Sequence, residues 1–399
     1  MIKNHAEVDV FLGVDVGKGE HHAVALDRTG RKLYDKALPN DEAKMKAVIE
    51  KLAKHGAILF IVDQPATIGA LPVAVAQAAG VTVGYLPGLA MRRIADLHPG
   101  EAKTDARDAY IIAEAARTMP HTLRSIQVAD EQVAELSMLC GFDDDLAKQI
   151  TATSNRLRGL LTQIHPALER VLGPRLDHPA VLDLLRTWPT PGALKTAGRK
   201  RVGARLKRLA PRMYARLTEE IFDALDQQTV TVVGTNAAAV VVPQLAGMLG
   251  DLRASRETLH AQVEALVEAH PLHSVLSSIP AVGIRTEARI LTEIVGKEFA
   301  TAGHLASYAG LSPVTWRSGS SIRGDHSSRR GNKILKRALF LSAFAALKDP
   351  LSRAYYDRKR AQGKKHNQAL IALARRRCDV IFAMLRDGTL YEAQTPAAA

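Results

Sequence analysis

Four aspartates stand where a carboxylate can do chemistry. Asp15 lies in the apolar run Phe11–Gly19, FLGVDVGKG, just before the breaks at Gly17 and Gly19, and Asp63 directly follows the apolar run Ala57–Val62. Asp105 and Asp108 are three residues apart in KTDARDA, behind Thr104, so a helix capped by Thr104 carries both on one face of its first turn. A carboxylate at the end of a core strand costs several kcal/mol unless it is paired, hydrogen-bonded or bound to a cation. The plain alternatives are that Asp15 caps the turn at Gly17 and that Asp105 and Asp108 favour the helix dipole, worth about 0.3–1 kcal/mol each. Taken together, the four can hold two divalent cations, which polarise a phosphodiester, ready the attacking oxygen and neutralise the leaving one. Oxygen-only ligands select Mg²⁺ or Mn²⁺ over zinc.

A second concentration of chemistry is Leu305–Gly331, rich in Gly and Ser, where Ser318, Ser320 and Ser321 lie among Arg317, Arg323, Arg329 and Arg330. It reads either as a solvated nucleic-acid loop or as the seat of a nucleophile whose scissile phosphate is held by guanidinium groups. The nearest histidine is His326, so no Ser-His-Asp arrangement is drawn. Lys333, Lys336 and Arg337 follow on an amphipathic helix. From Arg317 to Arg377 there are 17 lysines and arginines against three acids, an excess of 14 in a chain whose whole net charge is +13. So lopsided a segment is expected to face a phosphate backbone, and Trp316, Tyr355 and Tyr356 among its cations could stack on bases. Upstream, IPAVG in Leu276–Ile294 reads either as an ordinary helical hairpin or as a turn that resembles the helix-hairpin-helix of DNA-binding proteins, with Gly283 as the point where a phosphate meets backbone N–H groups.

The elements that must position these groups follow from periodicity. His21–Leu26 and Gly30–Leu38 alternate into a meander with the first strand; Asp41–Lys54 has helical spacing; Ala57–Val62 and Val81–Tyr85 are strands separated by a helix over Gly69–Ala79. Strands alternating with helices predict a mixed α/β sheet. Val128–Leu172 carries a long helical stripe, expected to break near Gly141, which reads as a helical arm or coiled coil, and Leu245–Ala269 carries another stripe. A basic patch lies at Arg199–Arg208 between them. The expected domains are 8–125, 126–270 and 271–390, with a disordered tail over 391–399.

With 47% hydrophobic and 24% charged residues in 399, a sizeable core is expected, and no run reaches the about 18 apolar residues of a membrane span. The first ten residues lack a secretory pattern, and two cysteines, Cys140 and Cys378, make no disulfide framework, so a reducing cytoplasm is the expected compartment.

The order VDVGK with Asp15, a strand-end acid at Asp63, KTDARDA, a helical arm, IPAVG and AGLSPVTWRSG resembles the insertion-sequence one-hundred-and-ten family of DEDD transposases, over roughly 11–120 and 271–390. The resemblance implies an α/β N-terminal ribonuclease H-like (RuvC-like) domain, a coiled-coil arm and a mostly α C-terminal transposase domain. It further implies an RNA-guided recombinase in which a structured bridge RNA pairs with donor and target DNA, working as a homodimer or homotetramer at the bacterial nucleoid. The family serine falls in Pro313–Gly319, which selects Ser318, with Ser320 and Ser321 as fallbacks. Where the family typically has Glu as its second acid, this chain has Asp63, one methylene shorter. The alternatives are a Mg²⁺-dependent RuvC-like junction resolvase using water, an actin-like sugar kinase, whose second phosphate loop and adenosine-binding glycines are not found, and a non-catalytic nucleic-acid binder.

Overall fold

The computed structural model describes residues 2, 4–65, 67–98, 104–126, 131–318, 322–326 and 328–393, and at 67, 315–318 and 322–326 the description is of the backbone. The chain divides into two compact units, 1–133 with 293–336, and 134–292 with 337–399.

The first unit is built on a six-stranded sheet ordered β3-β2-β1-β4-β5-β6. Its strands are β1 (Val10–Asp15), β2 (Glu20–Asp27), β3 (Lys32–Pro39), β4 (Ile58–Val62), β5 (Thr82–Tyr85) and the two-residue β6 (Arg124–Ser125). β1, β4 and β5 are parallel neighbours, while β2, β3 and β6 run antiparallel to theirs. The β1–β3 meander, the helix α1 (Glu42–Ala53) capped by Asp41, and α2 (Ala70–Ala78) stand within a few residues of the expected bounds.

Alternation along each strand sorts the core into two layers. Val10, Leu12 and Val14 of β1 and Ile58, Phe60 and Val62 of β4 meet Met45, Val48, Ile49 and Leu52 of α1. On the opposite face, Phe11 and the β4 residues Leu59 and Ile61 pack on Ile111, Ile112 and Ala115 of α4 (Asp105–Thr118), and Val24 and Leu26 of β2 on Ala109 and Ala113. The short α3 (Gly88–Ala95) contributes Ile94 to this layer.

The second unit is helical. α5 (Glu131–Ile164) runs unbroken through Gly141, correcting the expected break there: an isolated glycine costs a helix about 1 kcal/mol, and neighbouring side-chain contacts outweigh it. Asp143 and Arg256 of α10 (Thr235–Ala269) form a two-pronged ion pair, Arg256 Nε donating at 2.7 Å, and Arg289 Nη2 donates to the Cys140 carbonyl at 2.8 Å. Farther along, α5 joins α6 (Pro166–Leu172), α7 (Pro179–Thr187), α8 (Pro191–Leu209), α9 (Tyr214–Asp226) and α10 around one apolar cluster that includes Leu161, Leu168, Leu184, Val202, Ile221 and Leu249. The apolar stripes on α5 and α10 thus serve a multi-helix core. α8 is interrupted at Gly198, whose φ of +77° is open to glycine alone at little cost.

α11 (His273–Ser277) and α12 (Ile284–Ile294) flank the IPAVG turn. In that turn the left-handed φ belongs to Ala281, at +61°, and not to Gly283. α13 (Ala302–Tyr308) and the hairpin β7 (Val314–Ser318) and β8 (Ile322–His326) follow; α14 (Lys333–Ala345), α15 (Pro350–Ala361) and α16 (His366–Asp387) complete the described chain. The expected tail lies outside the described residues from 394 onward. No described helix is long and apolar enough to cross a membrane.

Candidate active site

The site is set by strand parity. Phe11 and Leu59 face α4, so Gly13 and Asp15 on β1 and Ile61 on β4 face it too, and Asp63 is the first residue after β4. The parallel pairing of β1 with β4 ends at Val14 and Val62, and Asp15 and Asp63 are the next residue of each chain segment. Gly13 is the contact point: a Cβ there would stand 2.4 Å from the Ala113 nitrogen and 2.5 Å from the Ala109 oxygen, so backbone meets backbone. Asp105 is one turn before Ala109 and Asp108 one turn before Ile112; Asp105 is exposed and Asp108 half-buried. The His5 ring, N-terminal to β1, reaches the Ala116 carbonyl at 2.7 Å, so α4 runs antiparallel to β1 and brings its N-terminus to the Asp15 end. Thr104 caps that N-terminus, accepting from the Arg107 N–H at 3.3 Å.

Around this end, the Gly17 N–H donates to His21 Nδ1 at 3.1 Å, which closes the β1–β2 turn through a buried side chain. His22, the register partner of Asp15, is 2.9 Å from Asp35. The Lys32 ammonium and His22 together hold the Asp35 carboxyl below the usual carboxylate range.

Asp63 carries the observation that bears on a cation. Among the described residues its buried Oδ1 has no hydrogen-bond partner, and its Oδ2 has a long 3.5 Å contact from Gln64. The donor chemistry, hard oxygens only, fits Mg²⁺ or Mn²⁺. As they stand, no group of three or more His, Cys, Asp or Glu among the described residues is close enough to hold a metal ion. Like charges repel, and a counter-charge is needed to draw such side chains together.

The serine segment also belongs to the first unit. Ser318 ends β7, opposite Ile322 of β8; the description there is of the backbone, and Ser320 and Ser321 lie outside the described residues. The base of the hairpin is tightly fastened. Gly310 and Gly331 both have positive φ, and a Cβ on Gly331 would meet the Gly310 nitrogen at 2.6 Å. Asn332 donates to Glu293 and, at 2.9 Å, to the Tyr308 hydroxyl, while its own Oδ1 accepts from Leu335 N–H at 2.9 Å and caps α14. Burial pushes the Tyr308 hydroxyl upward in pKa, and burial lowers that of Lys297 beside it. Nothing in the spacing of Glu293, Tyr308 and Asn332 marks them as neighbours; the one local signal is Gly-Asn directly before a helical stripe, a turn and cap pair.

Of the expected phosphate contacts, Arg329, Arg330, Lys333 and Arg337 are exposed, Arg317 and Arg323 stand in register on the two strands, and Gly283 has open space about it. Lys336 instead donates to the Ser328 carbonyl at 2.9 Å and ties down the strand leaving the hairpin. Two readings are corrected. Tyr356 is a core residue whose hydroxyl is 2.6 Å from His366, and Arg377, counted among the surface cations, is buried and donates to Ser342 and the Pro280 carbonyl.

Comparison with known proteins accounts for this combination. A transposase family profile of the DEDD IS110 type matches residues 12–166, and that of the IS116/IS110/IS902 transposase family matches residues 273–357. The 43.6 kDa insertion element IS110 protein of Streptomyces coelicolor is 60% identical over 98% of this chain and 97% of its own. The 42 kDa IS900 protein of Mycobacterium paratuberculosis is 36% identical over 98% and 99%. The mini-circle putative transposase for IS117 of S. coelicolor is 30% identical over 90% of each. The chain belongs to the IS110 family of transposases, DNA-processing enzymes of insertion sequences. Membership sets the sugar-kinase alternative aside.

Proposed function

We propose that this transposase is an RNA-guided DNA recombinase that cuts and rejoins strands through a covalent phosphoserine at Ser318. The observation that supports the reading is that β1 and β4, adjacent and parallel, end at Asp15 and just before Asp63, with α4 packed across them and its N-terminus toward that end, and that Asp63 Oδ1 is buried with no hydrogen-bond partner among the described residues. The strand order 3-2-1-4-5, with an antiparallel meander at one edge, supports a ribonuclease H-like, RuvC-type domain. The domain limits remain those drawn from the sequence, 8–125, 126–270 and 271–390.

Asp15, Asp63, Asp105 and Asp108 hold Mg²⁺ or Mn²⁺, which when bound supplies positive charge at the scissile phosphate. The Ser318 oxygen attacks phosphorus, the bond to the 3′ oxygen breaks, and a phosphoserine and a free 3′-hydroxyl result. Attack by the hydroxyl of the other DNA reverses the step and exchanges strands; the phosphodiester energy is conserved in the protein–DNA bond, so no ATP is required. Arg317, Arg323, Arg329 and Arg330 surround the nucleophile in sequence and hold the phosphate, with Lys333 and Arg337 contributing charge. Lys336 keeps the hairpin in place. A structured guide RNA, a homodimer or homotetramer and a cytoplasmic, nucleoid-associated setting complete the reading, on the family resemblance.

The experiment uses a nicked suicide substrate with wild type and the Ser318→Ala, Ser320→Ala and Ser321→Ala variants. A covalent protein–DNA adduct in all but Ser318→Ala is expected; equal adduct in Ser318→Ala sinks the assignment. Cleaved product without adduct in wild type favours the water-using resolvase.

A further inference from the structure

The helices α6 to α10 run from the end of the first family-matched segment, 12–166, to before the second, 273–357, and share one apolar cluster with the end of α5. This stretch carries a charge pattern that the proposed chemistry does not use. From Leu184 to Thr218 there are ten lysines and arginines and no acid.

Acids of the flanking helices neutralise three of them. Arg205 Nε donates to Asp183 at 2.6 Å, Arg199 pairs with Glu219, and Arg216 Nε donates to Glu220 at 2.7 Å. Lys200, Arg201, Arg208 and Arg212 are exposed and have no ion pair or hydrogen bond among the described residues. Val202, Gly203, Leu206 and Ala210 point into the core, so the helix cannot roll to hide them. Arg201, Arg205 and Arg208 follow one edge of α8 at helical spacing, and Arg201 and Arg208 are about 10 Å apart along the axis at 1.5 Å per residue. A favourable interaction with the α8 C-terminus explains at most the last turn, since that effect dies away within one turn.

We infer that this edge of α8, with Arg212 in the turn that follows it, is a duplex-DNA backbone clamp built from residues that the proposed cleavage chemistry does not use. The inference rests on DNA as the substrate of the family. Charge complementarity selects a polyanion, and the aromatic beside these cations, Tyr214, is half-buried with Lys207 over its ring, which favours paired strands over stacked single-stranded bases. Such contacts add affinity without reading sequence.

The test is a salt titration of the full-length chain on a short mixed-sequence DNA duplex, read by fluorescence anisotropy, with Arg201→Gln/Arg208→Gln/Arg212→Gln and the matching triple Lys variant. At about 0.9 per phosphate contact, the slope of log affinity on log salt falls by about 2.7 in the Gln variant and is kept in the Lys variant. Helix content and Tm stay at wild-type values, because the replaced groups are exposed and unpaired. A Gln variant with wild-type slope and affinity overturns the clamp. Weakened binding to a hairpin RNA with duplex DNA unchanged overturns DNA as the occupant. A wild type that binds no duplex overturns the DNA-substrate reading itself, and the clamp with it.

Discussion

Gly13→Ala tests how the carboxylates are held together. The added Cβ would lie 2.4 Å from the Ala113 nitrogen and 2.5 Å from the Ala109 oxygen. Both are backbone atoms in the middle of α4, so no rotamer change relieves the overlap. Restoring van der Waals contact moves α4 outward by about 1 Å, and overpacking of that size costs about 1–3 kcal/mol. Because Asp105 and Asp108 ride on the same helix while Asp15 and Asp63 stay on the sheet, the shift separates the two pairs. A misplacement of about 1 Å costs on the order of 10²-fold in rate. The expected result is a Tm lowered by roughly 2–4 °C per kcal/mol lost, with strand cleavage reduced far more than the surviving folded fraction accounts for. Gly19→Ala is the control, since a Cβ there meets nothing within 4 Å. Wild-type cleavage in a folded Gly13→Ala protein would refute the convergence of α4 on the sheet face.

Further expectations follow from particular contacts. Asp63→Asn removes a carboxylate oxygen that has no hydrogen-bond partner among the described residues, so a Mg²⁺-induced stabilisation, about 2.7 kcal/mol at a hundredfold excess over Kd, is expected to disappear in urea unfolding, and an undiminished gain would remove Asp63 from the ligand set. Ala281→Gly releases a left-handed φ of +61° and is expected to stabilise the chain by about 1 kcal/mol in urea unfolding; a loss of stability would show the turn to be unstrained. Asn332→Ala loses the α14 cap and the bonds to Tyr308 and Glu293, a cost of about 1–3 kcal/mol that a wild-type unfolding midpoint would disprove. Burial raises the Asp143 pKa, but the Arg256 hydrogen bond and charge outweigh it and hold the carboxyl below its usual range. The unfolded chain therefore takes up this proton at higher pH than the folded one, so the stabilisation is present above the usual carboxylate range and is lost as pH falls through the folded value. Arg256→Met should lose less Tm on acidification than wild type; parallel curves would exclude the pair as a contributor.

What could be read beforehand was what repeats locally. The period-2 runs placed β1, β2 and β4, the Thr104 cap placed the start of α4, and together these named the four aspartates. What could not be read depends on partners distant in the chain. Asn332, Tyr308 and Glu293 converge only once α12, α13 and the hairpin pack together. Arg377 and Tyr356 look like surface cation and base-stacking platform until Ser342, Pro280 and His366 are found around them. Gly141 carries a local signal for a break that the tertiary contacts of α5 override. At IPAVG the glycine marks a turn, yet the strained backbone angle falls two residues earlier, on an alanine.

The sheet order has a last consequence. At its carboxyl end β1 turns toward β2, while β4 leaves toward β5, so the chain departs in opposite directions from the two adjacent strands that carry Asp15 and Asp63. A crevice opens at such a switch point in an α/β sheet. Either departing loop can lengthen or change sequence without shifting the register that aligns the two acids. A change in either loop alters what borders the crevice while the pairing of β1 with β4 up to Val14 and Val62 is kept.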